Sequence, residues 1–98
     1  MARYLSLWEV DPSRVPISPQ EKAAGWSLLT NMVKEDMKKG IIKDWGAFVG
    51  EINGYSVAEG TEVEIGEMNV RYAPFVRFKV YAISPLRDVE KVIKSLSK

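Results

Sequence analysis

Two segments of the sequence alternate polar and aromatic side chains, and they carry the residues best suited to chemistry. The six residues on their polar-aromatic faces are Tyr4, Ser6, Trp8, Arg77, Lys79 and Tyr81. Guanidinium and ammonium groups bind carboxylates, while aromatic rings stack on flat apolar ligands. The pattern therefore predicts a cavity that holds a small apolar or aromatic anion.

Glu59 could add a carboxylate to this cavity. A carboxylate that is partly removed from water binds its proton more tightly and can serve as a general base. The same residues also fit a structural interpretation, in which Arg77 and Lys79 form interface ion pairs or extend to solvent and the aromatic rings fill a barrel. The sequence favours the structural interpretation and leaves the other open.

Chemistry that depends on histidine or cysteine is excluded, because the chain contains neither residue. Histidine is the commonest general base and transition-metal ligand, and cysteine supplies thiolates and disulfides. Glu62, Glu64 and Glu67 crowd one short segment, but without histidine or a fixed carboxylate spacing they do not predict a metal site. We therefore expect no metal and no cofactor.

The charge balance gives no electrostatic reason to expect nucleic acid or an anionic membrane as a partner. Among 98 residues, 14 are Lys or Arg and 13 are Asp or Glu, and both signs are interspersed. No apolar run approaches the ~20 residues of a membrane span, and residues 1–10 lack the layout of a signal peptide. We expect one domain, residues 1–98, in a reducing cytoplasm.

The alternation of β-branched and aromatic residues predicts four strands. They are Arg3–Val10, Ile41–Val49, Tyr55–Glu59 and Phe75–Ile83. In the first strand the leucines, Leu5 and Leu7, are assigned to the core face. In the second strand Gly46 predicts a weak point or a bulge. The predicted core face of the fourth strand carries Val76, Phe78, Val80 and Ala82.

The segment 18–39 is predicted to be a helix that begins with a capping box formed by Ser18 and Glu21. Its apolar stripe comprises Ala23, Trp26, Leu29, Val33 and Met37, widened by Leu28 and Met32. Gly25 costs about 1 kcal/mol relative to Ala in a helix interior and predicts close packing on the sheet. Asp36 is assigned to the solvent face of this helix.

The segment 61–72 is ambiguous, because Val63 and Ile65 alternate as in a strand. A second capping box at Thr61 and Glu64, and the need to cover a small sheet, favour a helix. A last helix is predicted to be capped by Ser84-Pro85. One side of that helix is apolar and carries Leu86, Val89, Val92, Ile93 and Leu96.

The predicted order of elements is β-α-β-β-α-β with an added C-terminal helix, an α+β fold of the ferredoxin-like plan. Right-handed crossovers give the strand order 4-1-3-2 and put the two longer helices on one face of the sheet. RNA-recognition motifs share this plan but need a basic-aromatic motif on the third strand. Here that strand reads YSVAE, so nucleic-acid binding is excluded.

Three short stretches carry a resemblance to known proteins: Trp45-Gly46, then Gly54-Tyr55 through Glu59-Gly60, then Tyr72-Ala73-Pro74-Phe75 running into an aromatic strand. Together they resemble dimeric α+β-barrel proteins. Within that superfamily the chain is most similar to short bacterial and archaeal proteins of unknown function, the DUF3303-like proteins. The superfamily also includes muconolactone isomerase, antibiotic-biosynthesis monooxygenases, haem-degrading and chlorite-dismutating enzymes, and ligand-sensing regulator domains, so the resemblance implies architecture rather than activity. Its haem-binding and YCII-like members use histidine, which this chain lacks.

The resemblance implies a homodimer in which the helix-free faces of two sheets close a barrel. The residues themselves also favour a dimer, because an uncovered sheet face carrying an aromatic patch is typical of an interface or a ligand groove. Val10–Ile17, with two prolines, is predicted to be a stiff loop that could cover one mouth of the barrel. The leading hypothesis is a dimer that binds a small organic molecule in the inter-sheet cleft. The alternative is a cofactor-independent isomerase or monooxygenase that uses Glu59, Tyr81 or Trp8.

Overall fold

Alternating apolar and polar residues form four strands in the computed structural model, which describes residues 2–97. The strands are β1 (Arg3–Val10), β2 (Ile42–Ala47), β3 (Asn53–Glu59) and β4 (Val76–Ile83). They build one antiparallel sheet in the order β2-β3-β1-β4, which reads β4-β1-β3-β2 from the opposite edge. The predicted α+β class with a four-stranded antiparallel sheet is confirmed.

Three α-helices connect and follow the strands. They are α1 (Pro19–Lys38), α2 (Glu62–Tyr72) and α3 (Leu86–Leu96). At the start of α1 the Glu21 N–H donates to Ser18 Oγ at 3.1 Å. At the start of α2 the capping box is complete, since Thr61 and Glu64 each donate a backbone N–H to the other's side chain, at 3.0 and 3.1 Å. The helix predicted over 61–72 is confirmed, and the element order is compatible with the ferredoxin-like plan.

Both α1 and α2 pack on one face of the sheet, called here the helix face, and the opposite face is the open face. Side chains from both helices and all four strands form one core on the helix face. The buried hydrophobic members of this core are Trp8, Val33, Ile42, Ala58, Ile65, Met68, Tyr72 and Val76. The prediction that two helices share one face of the sheet is confirmed by this core for α1 and α2.

Three tryptophans meet in the core. The Trp8 ring stacks on Trp45 with centroids 5.1 Å apart, and it meets the edge of Trp26 at 6.1 Å. The Trp8 indole N–H donates to the Tyr55 carbonyl at 3.1 Å, so the ring is buried without an unpaired donor. Trp26, predicted as a core residue, is partly buried against this cluster.

The face assignment of β1 was predicted the wrong way round. In the sheet register Trp8 lies opposite Phe78 and Ser6 opposite Val80, so the helix face takes the polar-aromatic side of β1. Leu5 and Leu7 consequently lie on the open face. A tryptophan buries far more apolar area than a leucine, and its one polar atom has a partner here, so burial of Trp8 decides the orientation of the strand.

Close backbone approach explains Gly54 in β3. A Cβ at Gly54 would meet the Gly46 carbonyl oxygen and lie 2.5 Å from the Trp8 ring. Gly46, in β2, faces the Tyr55 ring, which a Cβ would approach to 2.7 Å. The irregularity predicted at Gly46 occurs earlier in β2, where the register shifts between Ile42 and Asp44.

The third helix, α3, leaves the sheet instead of covering it. None of its residues is buried, and the molecule is elongated, with extents of 61 × 25 × 19 Å. Its N-cap is Pro85 rather than Ser84, without a side-chain hydrogen bond. Val80 and Ala82, predicted as core residues of β4, are therefore exposed. Among residues 2–97 no helix combines the length and apolar character needed to cross a membrane.

Candidate ligand-binding site

The residues predicted to line one cavity lie on opposite faces of the sheet. Tyr4, Ser6 and Trp8 belong to the helix face, whereas Glu59, Arg77, Lys79 and Tyr81 belong to the open face. Ser6 and Trp8 are 0% and 3% exposed beneath the helices. The structure therefore does not bring the two groups together.

The three residues of β1 on the helix face have structural surroundings. Trp8 is fixed by its stacking on Trp45 and by its hydrogen bond to the Tyr55 carbonyl. Tyr4 is partly buried against the core. The Ser6 hydroxyl is buried and has no hydrogen-bond partner in the described part of the chain.

One ion pair lies at each end of the open face. At one end Arg3 Nε lies 3.1 Å from the Glu59 carboxylate, and at the other Arg77 lies 3.8 Å from Glu9. The side chains between these pairs are mainly apolar or aromatic: Leu5, Leu7, Tyr55, Val57 and Tyr81. Tyr55 donates its O–H to Asp44 at 2.8 Å, and this hydrogen bond raises the pKa of Tyr55.

Two polar groups in the middle of the open face are free. Lys79 lies opposite Leu7 and Tyr81 lies opposite Leu5 in the β1–β4 register. Within residues 2–97 neither side chain forms an ion pair or a hydrogen bond, and Tyr81 is 52% exposed. An amine and a phenol beside apolar side chains can bind a small organic acid.

A cavity lies on the helix face, between α1, the 10–16 loop and the junction of α2 with β4. It has a volume of about 250 Å³. The cavity, called here the α1 pocket, is lined by Val10, Arg14, Val15, Pro16, Lys22, Gly25, Trp26, Leu28, Leu29, Met32, Ile52, Arg71, Tyr72, Phe75 and Val76. The proline-containing loop, which was expected at a barrel mouth, thus lines this pocket in the single chain.

The wall of the α1 pocket is held by local contacts. Asp11 accepts hydrogen bonds from the Ser13 N–H at 3.1 Å and from the Ser13 hydroxyl at 2.9 Å, which together lower the pKa of Asp11. The Arg14 guanidinium lies 5.5 Å above the Phe75 ring. These contacts and two prolines give the loop a defined shape.

A buried carboxylate joins α1 to α2 behind the pocket. Asp36, 1% exposed, accepts hydrogen bonds from Arg71 Nη2 at 2.8 Å and from the Tyr72 hydroxyl at 2.6 Å. The assignment of Asp36 to solvent was wrong. Asp36 follows Leu29 by seven residues and Val33 by three, so the helical period places it on the buried side of α1.

Sequence comparison adds no function to this geometry. No protein-family model matches the chain, and no curated protein matches it significantly. In the described residues no group of three acidic, histidine or cysteine side chains could hold a metal ion. The resemblance to dimeric α+β barrels stays a prediction.

Proposed function

We propose that the protein is a homodimeric α+β barrel, closed through the open faces of two copies, whose inter-sheet cleft binds a small organic anion. The observation that carries this function is the free amine of Lys79 and the free phenol of Tyr81 within an apolar surface. An ammonium group attracts a carboxylate most strongly where the surroundings exclude water.

The layout of the open face supports the dimer. Apolar side chains occupy the middle of the face, and the pairs Arg3–Glu59 and Glu9–Arg77 lie at its ends. An apolar centre with a charged rim is the usual anatomy of a protein interface. A second copy would remove Leu7 and Tyr81, which are 39% and 52% exposed, from water.

Binding fits the geometry better than catalysis. Glu59, the predicted base, is ion-paired with Arg3 at 3.1 Å. Trp8 lies behind the sheet, on the helix face. Of the residues proposed for an isomerase or monooxygenase, Tyr81 alone is both free and on the open face.

The assembly is tested by comparing two neighbouring substitutions in β1 by sedimentation at micromolar concentration. Leu7→Glu places a charge on the open face and should convert the dimer to a folded monomer, because Leu7 is not part of the core. Trp8→Glu should instead prevent folding, since it buries a charge beneath the helices. A wild-type monomer, or a Leu7→Glu dimer, would refute the proposed assembly.

The ligand site is tested by native mass spectrometry of the purified dimer and by titration with benzoate. Lys79→Met should weaken benzoate binding at least fivefold, since it removes the free cation and keeps an unbranched side chain only one atom shorter. Lys34→Met, an exposed lysine on α1, is the matched control and should leave the affinity unchanged. Equal affinities for wild type and Lys79→Met would exclude the cleft as the binding site.

A further inference from the structure

We propose that the α1 pocket is a second, separate binding site, which takes a small amphipathic carboxylate. The apolar part of the ligand fills the pocket, and its carboxylate lies at the ammonium group of Lys22. This site is on the helix face and shares no residue with the proposed cleft on the open face.

The charge around the α1 pocket has one sign. Three of the lining side chains, Arg14, Lys22 and Arg71, are basic, and none is acidic, although the chain as a whole is nearly neutral. Arg14 is paired with Asp11 at 3.6 Å and Arg71 with Asp36 at 2.8 Å. Lys22 forms no ion pair in the part of the chain that the structure describes. It is the cation left to bind a ligand's charge.

Gly25 supports a pocket that is kept open. Glycine in the interior of α1 costs about 1 kcal/mol relative to alanine. Close packing does not require it, since a Cβ at Gly25 would have no atom within 4 Å, contrary to the prediction of tight contact with the sheet. Because Gly25 lines the pocket, a larger side chain there would occupy the ligand's space.

Lys22, like Gly25, is a residue that disfavours the helix at its own position. It lies in the fourth position of α1, where a cation opposes the helix dipole. Lys22 and Gly25 are three residues apart, on the same side of the helix. Two residues that disfavour the local helix therefore lie side by side on the pocket wall, as expected where a site takes precedence over local stability.

The volume of the α1 pocket limits the size of the ligand. About 250 Å³ corresponds to roughly eight water molecules at liquid density. A linear or aromatic monocarboxylate of roughly ten non-hydrogen atoms matches this volume and the single free cation, whereas a nucleotide or a peptide exceeds it.

The test is a titration with octanoate, followed by tryptophan fluorescence, since Trp26 lines the pocket and contacts Trp8, which stacks on Trp45. Octanol, the neutral analogue, is titrated in parallel. We expect saturable binding of one octanoate per chain. Lys22→Met should weaken octanoate binding about five- to tenfold and leave octanol binding unchanged. Absence of saturable octanoate binding, or an equal effect on both ligands, would overturn the proposal.

Gly25→Leu tests the pocket without the risk of unfolding. Leucine favours the helix and its Cβ would have no atom within 4 Å, so thermal stability should be unchanged or higher while both ligands lose binding. Gly66→Leu is the matched control and should bind normally. Gly66 lies within α2, away from the pocket, and a Cβ added there would have no atom within 4 Å. Lys79→Met should also bind octanoate normally. If it does not, the ligand is in the cleft and the α1 pocket is not the site.

The apolar stripe of α3 from a second copy is the other occupant that this pocket could accept. A chain that ends at Pro85 separates the two cases. A ligand pocket binds octanoate equally with and without α3. Octanoate binding that appears only after removal of α3 would assign the pocket to the helix and overturn the proposal.

Discussion

The Tyr72 hydroxyl donates to Asp36 Oδ2 at 2.6 Å, and this hydrogen bond connects the end of α2 to the middle of α1. Asp36 also accepts from Arg71, so one buried carboxylate holds both helices at the edge of the α1 pocket. A buried acceptor with two donors contributes to stability only while all three groups are present.

Removal of Asp36 should be strongly destabilising. We expect Asp36→Ala to lower the free energy of unfolding by about 2–3 kcal/mol, because the Tyr72 hydroxyl would stay buried without its partner. Tyr72→Phe should cost about 1–2 kcal/mol. In a double-mutant cycle measured by urea denaturation, the two losses should be coupled by about 1–2 kcal/mol. Glu35→Ala, an exposed neighbour on α1, is the control and should change stability by less than about 0.5 kcal/mol. Additive effects of the two core substitutions would contradict this coupling.

The same hydrogen bond predicts how stability depends on alkaline pH. Burial, followed by the hydrogen bond and the negative charge of Asp36, raises the pKa of Tyr72 well above its ordinary value of 10.0. Below pH 10 the Tyr72 phenol is protonated in both the folded and the unfolded chain, so its hydrogen bond contributes fully to the free energy of unfolding. Above pH 10 the unfolded chain loses this proton while the folded chain keeps it, and stability falls until the folded pKa is reached. Wild type should therefore lose about 1 kcal/mol more than Tyr72→Phe between pH 9 and pH 11.

The alkaline comparison uses urea midpoints at each pH. Tyr55, whose pKa is also raised, is present in both proteins, so its effect cancels in the difference. Identical pH profiles for wild type and Tyr72→Phe would mean that the Tyr72 phenol ionises as easily in the folded chain as in the unfolded one.

Substitution of Gly54 and of Gly66 by alanine should change the stability of the protein in opposite directions. Gly54→Ala should destabilise the protein by more than about 2 kcal/mol, because the new Cβ would overlap the Gly46 carbonyl and approach the Trp8 ring to 2.5 Å. Gly66→Ala should stabilise it by about 0.5–1 kcal/mol, since the methyl group meets open space within α2. Thermal unfolding measures both. A neutral Gly54→Ala variant would contradict the close contact between β2, β3 and Trp8.

The helices and strands were predictable because each is marked by a local sequence pattern. Capping boxes and period-two alternation located the helices and strands, including the ambiguous helix at 61–72. The faces were harder to predict. Both sides of β1 carry apolar atoms, and alternation alone cannot tell whether Leu7 or Trp8 is buried. That choice depends on Trp26 and Trp45, which are distant in sequence and meet Trp8 in the core.

The candidate sites depended on those faces. The two faces of β1 are exchanged relative to the prediction, and this separates Tyr4, Ser6 and Trp8 from the other predicted lining residues. The α1 pocket lies between segments distant in sequence, so no motif marks it. Gly25 is the available signal, but a glycine inside a helix is equally typical of close packing. Asp36 could have been identified, since its spacing from Leu29 and Val33 places it on the buried side of α1.

The exposed apolar side of α3 predicts that this helix packs against the other copy in the proposed dimer. Leu86 and Leu96 are 74% and 81% exposed, and an isolated helix of 11 residues is marginal in water. Packing of α3 on the other copy would remove these side chains from water and extend the interface beyond the sheet face.

Removal of α3, in a chain that ends at Pro85, should therefore weaken dimerisation at least tenfold, as measured by sedimentation equilibrium. At a dilution where both proteins are monomeric, their thermal stabilities should agree, because none of the residues of α3 is buried in its own chain. Lys94→Glu, on the polar side of α3, is the control and should dimerise normally. A shortened chain that unfolds at high dilution would show that α3 packs on its own chain, and undiminished dimerisation would confine the interface to the sheet.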